Sequence, residues 1–398
     1  MPNPYRQLFA APGTRAFALA GLLARLPLPM TGIGIITLLA QSRGSYALAG
    51  AVSATFVLSY ALLSPQVSRL VDRLGQRRVL PMAGLLSALG LLSMAVATWL
   101  EASAWLLFGA ALLAGCMPSL SAMVRARWTH LYRGQPQLQT AYSLETVFDE
   151  ASFIAGPPLA VGLSVLLWPQ AGLMAAATLL VLGTVLLALQ KTSEPPRMAA
   201  TPRELPVWQI PRVRQLTLLM VAMGVIVGTV DIVSVAFASE QGRPAAASLV
   251  LSAYAVGSCV SGLVFGALRW RLPLPRQLLL GALATALSTL PLLLVGNIAL
   301  LAAAVLLAGV FFAPTMIVAM ALVERSVPER QLTEGLTWLL AGLNVGVAIG
   351  AAGAGHWVDA TTARDGFLIA MAGGLLVLLA ARLVAGRREA SLTQPSAQ

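Results

Sequence analysis

Twelve stretches of this chain are long and apolar enough to cross a bilayer: 15–41, 46–70, 79–100, 104–125, 139–166, 169–190, 213–239, 245–268, 276–295, 298–322, 333–358 and 366–383. A spanning helix needs about 20 mostly apolar residues. In lipid every backbone N–H and C=O must be satisfied within the segment, which leaves helices or closed barrels. Stretches of this length predict an all-α integral membrane protein with twelve transmembrane helices. Composition agrees: the 398 residues are 58% hydrophobic and 10% charged, with mean hydropathy +0.81. A soluble domain is about one quarter charged.

A net charge of +11 raises the question of nucleic acid, and the distribution of the charge answers it. With the N-terminus placed in the cytoplasm, all but four of the 26 Lys and Arg residues fall in cytoplasmic tails and loops. Arg43, Arg243 and Arg364 fall on the periplasmic side, and Arg25 lies inside the first span. This alternation is the positive-inside pattern and predicts both termini in the cytoplasm. A nucleic-acid surface has no reason to alternate so. The short polar tail before a full-length first span reads as no cleavable signal. Cys116 and Cys259 lie in different spans without metal-ligand spacing and read as small packing residues.

The longest polar stretch, rich in Pro and charge, includes Ser193-Glu194-Pro195-Pro196-Arg197 and Pro202-Arg203-Glu204. It predicts a cytoplasmic linker at 191–211 between six-helix bundles at 1–190 and 212–398. Laying Gly44 over Gly242 places Ser68-Arg69-Leu70-Val71-Asp72-Arg73 over Gly266-Ala267-Leu268-Arg269-Trp270-Arg271. The match keeps Leu70/Leu268 and Arg73/Arg271, as expected of two pseudo-symmetric bundles. Parallel six-helix repeats are one transporter plan, with the substrate site near midplane at the repeat interface.

Between the second and third spans runs Ser68-Arg69-Leu70-Val71-Asp72-Arg73-Leu74-Gly75-Gln76-Arg77-Arg78-Val79-Leu80. This resembles the signature loop of the major facilitator superfamily, G-x-L-a-D-r-x-G-r-k-x-x-l, with Ser68 in place of the usual glycine. The resemblance implies two six-helix bundles that rock about a central site. It also implies a cytoplasmic gate in which Asp72, Arg73, Arg77 and Arg78 latch onto the start of the eleventh helix at Thr333-Glu334. An anion at a helix N-terminus is favourable, and Thr333-Glu334 has the character of a cap followed by an acid. Arg77 and Arg78 read equally well as positive-inside anchors. Ala155-Gly156-Pro157-Pro158 resembles part of the fifth-helix motif of the superfamily's antiporters, and Pro157 and Pro158 free carbonyls and bend the helix. The arginine that many proton-coupled drug exporters of the superfamily carry in the fourth helix is missing from Leu107-Phe108-Gly109-Ala110-Ala111-Leu112-Leu113-Ala114-Gly115.

Ionisable groups inside a membrane are costly and mark function by default. The fifth span carries Glu145, Asp149 and Glu150; the first carries Arg25 and the seventh Asp231. At about 100° per residue, Glu145 and Asp149 share a face with Ser152 and Gly156, while Glu150 is turned about 100° away. Arg25 is expected to pair with Asp149 or Glu150. One arginine cannot neutralise three carboxylates, so the remaining acids are candidates to carry protons or bind a cation. Pro27, Pro29 and Gly32 predict a kink in the first span that bares carbonyls near midplane. Asn344 in the eleventh span reads as a substrate contact or an interhelical hydrogen bond. His130 and His356 lack a metal partner at useful spacing.

The chain shows no nucleophile elbow, phosphate loop, metal cluster or selectivity-filter motif, so neither an enzyme nor a channel is expected. The reading is a secondary active transporter that exports a small organic molecule by proton antiport with alternating access. Proton-coupled uptake of a small organic anion is the alternative, and a receptor or scaffold without transport is the reading from another class. The expected partners are the small molecule, protons and the bilayer, with no nucleic acid, cofactor or metal. The expected setting is a bacterial inner membrane, as a monomer.

Overall fold

The computed structural model describes residues 4–43, 46–196, 206–243, 246–268 and 270–392. They form α1 (Pro4–Leu8), α2 (Thr14–Arg25), α3 (Pro27–Arg43), α4 (Tyr46–Leu74), α5 (Gln76–Trp99), α6 (Ala104–Ala114), α7 (Leu120–Tyr132), α8 (Gln137–Leu166) and α9 (Ala171–Leu189). There follow α10 (Pro211–Glu240), α11 (Ala246–Ala267), α12 (Leu274–Ser288), α13 (Ile298–Glu324), α14 (Leu332–Ala360) and α15 (Phe367–Leu392). No strand occurs among the described residues. Ten described helical stretches are long and apolar enough to cross a membrane. Large apolar side chains on the outer surface need a solvent other than water: Trp105 is 82% exposed, Leu166 82% and Met82 72%.

Two of the twelve expected passages, 104–125 and 139–166, are not among these ten. The passage at 104–125 is broken. Its first part, α6, ends at Ala114, residues 115–119 are irregular, and α7 runs on to Tyr132. The cause lies in Gly115-Cys116-Met117-Pro118-Ser119: Pro118 has no N–H and disfavours helical dihedrals at Met117. The carbonyls left at the break find donors in neighbouring helices. Ser59 Oγ donates to Leu112 O at 2.8 Å, and Ser87 Oγ donates to Ala114 O at 2.6 Å. The passage at 139–166 is α8, a 30-residue helix that continues through Pro157 and Pro158 without a break. Its three acids, Glu145, Asp149 and Glu150, set it apart from the apolar stretches.

The first passage divides at Leu26. That residue keeps helical dihedrals (φ −54°, ψ −38°). Pro27 and Pro29 bring no N–H to the carbonyls of Leu23 and Arg25, so the ladder is interrupted there. Gly156 of α8 packs on this point; a Cβ at Gly156 would lie 2.8 Å from Pro29 Cγ.

The chain divides into two compact units, 1–204 with 329–337, and 205–328 with 338–398. The division falls within the stretch read as linker, of which 197–205 lies outside the described residues, as do Gly44 and Arg269 of the repeat alignment. Glu329–Thr337, expected with the C-terminal bundle, groups with the first unit. In the first unit α3 packs on α8 and α9, and α5 on α6 and α9. In the second, α11 packs on α13, and α10 on α15.

Lipid tails give helices no hydrophobic reason to associate, so close backbone contact through small residues takes over. A Cβ at Gly224 would lie 2.1 Å from Leu343 O, one at Gly228 2.0 Å from Val347 O, and one at Gly346 2.0 Å from Val221 O. This four-residue spacing on both partners locks α10 against α14 within the second unit. Gly346→Ala must therefore push backbone from backbone, at an expected cost of about 1–3 kcal/mol. Gly109→Ala, with nothing within 4 Å of the new atom, is expected to leave stability unchanged. Thermal-unfolding midpoints of the two variants in one detergent check this contrast.

Candidate functional site: a buried charge cluster

The first unit holds two arginines and two acids in one hydrogen-bonded cluster. The break at Leu26 leaves Arg25 at the end of α2. Ser121, Arg125 and Trp128 share one face of α7 by their spacing of four and three residues, and Glu145 and Asp149 are one turn apart on α8. Arg25, Arg125, Glu145 and Trp128 are buried, and Asp149 is 15% exposed.

Arg25 is engaged on every side. Its Nε donates to Gly21 O at 3.1 Å. Its Nη1 donates to Glu145 O at 3.1 Å and to Asp149 Oδ1 at 2.9 Å, and its Nη2 to Glu145 Oε2. The Phe148 ring lies under the guanidinium at 5.9 Å. The second Glu145 oxygen accepts from Trp128 Nε1 at 2.8 Å. Asp149 Oδ1 also accepts from Ser121 Oγ, and Oδ2 accepts from Arg125 Nη2 at 2.8 Å. Trp128 is held in turn by Phe17, edge-on at 4.5 Å, and by Tyr132, stacked at 5.9 Å.

Arg25 meets Asp149 and also Glu145. Arg125, expected at the cytoplasmic end of the fourth span, supplies a second buried guanidinium. With all four groups ionised the cluster is neutral, so Glu145 and Asp149 need no extra proton or cation to balance them. A buried pair of this kind costs desolvation and holds only with good geometry and saturated hydrogen bonds. Both conditions are met, apart from Arg125 Nε, which is buried without a partner. Glu150, half-buried, points about 100° away from Asp149 along α8.

Arg127 was missed in the same way. Fully buried, it donates to Gln76 Oε1 at 2.7 Å, Leu187 O at 2.8 Å, Gln190 O at 2.6 Å and Ser193 Oγ at 2.7 Å. A cation on the last carbonyls of α9 suits the helix dipole there. Gln76 also donates to Met123 O at 3.0 Å, tying the start of α5 to α7. The broken passage was the available signal: Pro118 shifts the helix C-terminally and brings both arginines inside the bundle.

The signature loop splits by role. Asp72 accepts from the Glu334 N–H at 2.9 Å, an anion at the first turn of α14. Beside it Ser68 Oγ lies 2.8 Å from Thr337 Oγ1. Gly75 has φ +90°, which disfavours any residue with a Cβ. Arg73, Arg77 and Arg78 are exposed, and their side chains make no hydrogen bond or ion pair among the described residues. Within the first unit, then, the loop's observed contact with the start of α14 is made by Asp72 and Ser68.

In the second unit Asp231 lies on α10 about 10 Å from the end of an apolar span reaching Ala238. Its side chain is exposed at the protein surface and has no hydrogen-bond or ion-pair partner among the described residues. Asn344 is half-buried and donates to Leu340 O of its own helix at 3.0 Å, not to a neighbouring helix. Among the described residues no cluster of His, Cys, Asp or Glu is arranged to hold a metal. His356 is exposed, and Cys116 and Cys259 are half-buried and in no disulfide.

The family model for the Major Facilitator Superfamily matches residues 17–244 and 232–398. The chain belongs to this superfamily. Members are membrane transporters, so this chain is a multi-pass secondary transporter of a small molecule and not an enzyme. Solved structures agree on the fold over nearly the whole chain. The human organic anion transporter TETRAN is 15% identical, with 94% of this chain and 100% of that chain covered and a TM-score of 0.72. A bacterial homologue of the iron transporter ferroportin, in an outward-facing state, is 17% identical, with 94% and 99% covered and a TM-score of 0.74. The Escherichia coli fucose:proton symporter is 16% identical, with 92% and 98% covered and a TM-score of 0.69. A comparison with curated protein sequences finds no match.

Proposed function

We propose that this superfamily member exports a small organic molecule by proton antiport, as a monomer in a bacterial inner membrane with both termini cytoplasmic. The orientation rests on the distribution of Lys and Arg. The observation that carries proton coupling is Asp231, a carboxylate on an apolar spanning helix with no partner among the described residues. Such a group can take up and release a proton at each turnover without breaking another contact. Glu150 is the second candidate by its position on the spanning helix α8 alone. The Arg25–Glu145–Asp149–Arg125 cluster serves as a charge-balanced element that fixes α2, α7 and α8 to one another. The gate is assigned to Asp72 on the start of α14, and Asn344 is assigned to the substrate side of the second unit.

Uptake of a small organic anion is the second reading. It is favoured by Arg125 Nε, a buried donor with no partner. Against it, every nitrogen of the Arg25 guanidinium already donates to a protein acceptor.

The test starts from a ligand found by thermal stabilisation of the purified protein, since a binder of the folded state raises its apparent stability. In proteoliposomes with an imposed pH gradient, antiport predicts that this ligand moves opposite to the protons. Movement with the protons would replace export by the second reading, and movement indifferent to the gradient would remove proton coupling.

A further inference from the structure

His130 and Arg133 stand at the end of α7, and both reach Glu329, the first residue of the turn Glu329–Gln331 that leads into α14. His130 Nδ1 lies 3.7 Å from Glu329 Oε1, and Arg133 Nη1 donates to Glu329 Oε2 at 3.0 Å. The three side chains are about one third exposed, at 34%, 35% and 29% for His130, Arg133 and Glu329. They are open to solvent, and His130 and Arg133 both lie within ion-pair distance of Glu329.

We propose that His130, Arg133 and Glu329 form a proton-operated clasp on the entry to α14. With His130 protonated, Glu329 has two cations and the segment 329–337 is held firmly to the first unit. With His130 neutral, Arg133 holds it alone. Imidazole is the side chain whose charge changes between about pH 5 and 8. The charged neighbours do not duplicate this role. Arg330 adjoins Glu329 and is a permanent cation. On α4, which packs against the Glu329–Gln331 turn, stand Arg69, Asp72 and Arg73. Asp72 is already engaged with the Glu334 N–H. Arg15 on α2 and Arg6 on α1 are permanent cations, and α8 carries no charged residue before Glu145. The clasp is independent of transport direction and of Asp231.

Backbone hydrogen exchange of 329–337 in the reconstituted full-length protein, corrected for the intrinsic pH dependence of exchange, reads the clasp directly. Between about pH 5.5 and about pH 8, either side of the imidazole range, protection is expected to fall about twofold to fivefold, the factor a part-exposed ion pair supplies. His130→Gln is expected to show the lower protection at both pH values, and so is Glu329→Gln. His130→Lys, a permanent cation, is expected to keep the higher protection at both. A wild-type difference that survives in His130→Gln would overturn the proposal. So would a His130→Lys protein that loses protection at high pH as the wild type does.

Discussion

Arg25→Met is expected to cost about 3–5 kcal/mol of stability, the range for removing one partner of a buried ion pair. Arg25 is 4% exposed and donates to both Glu145 and Asp149. Without it Glu145, fully buried, keeps the Trp128 indole but loses its cation. Asp149 keeps Arg125 and Ser121. The damage should therefore centre on Glu145, and Arg25→Met combined with Glu145→Gln should recover much of the loss. Double-mutant logic applies because the two groups touch. By contrast Arg77→Ala, at an exposed position, should stay within about 0.5 kcal/mol. Unfolding midpoints and monodispersity in detergent check all three variants. A stable Arg25→Met protein would mean that the cluster does not hold the first unit together.

Asp231→Asn is expected to abolish proton-driven transport while leaving substrate counterflow intact. Asparagine keeps the size and polarity of a protonated aspartic acid but cannot release a proton. Exchange of substrate for substrate needs no net proton movement, so it survives, whereas a gradient can no longer do work. Folding should be little affected, because Asp231 has no partner among the described residues. If counterflow fails as well, Asp231 belongs to the substrate site. The same substitution pattern at Glu150 separates the two candidate carboxylates.

Much of the fold was legible because the bilayer sets a strict length rule, and apolar runs of the required length recur along the chain. The Pro27–Pro29 interruption was legible too, since a missing N–H acts locally. So was the Asp72 contact with the start of α14, through the resemblance of the loop to the superfamily signature. Gly75 at φ +90° is the conformational reason that part of the signature needs glycine. The second guanidinium was not legible from a window of apolar residues. Gly115 and Pro118 interrupt the fourth passage and move its end to Tyr132, so Arg125, expected at the span's cytoplasmic end, and Arg127, expected in the loop beyond it, both enter the bundle. Arg25 and Asp149 could be matched by helix geometry, but which acids an arginine fully saturates is decided by tertiary packing.

The central claim is that one unpaired carboxylate on α10 couples transport to protons, while the buried cluster in the first unit stays charge-balanced throughout. The direct measurement is the pH change when the stabilising ligand is added to purified protein in weakly buffered detergent. The account predicts that wild-type protein releases protons on binding ligand, that Asp231→Asn binds the ligand and releases none, and that Glu150→Gln releases as wild type does. Undiminished proton release from an Asp231→Asn protein that still binds the ligand would contradict it.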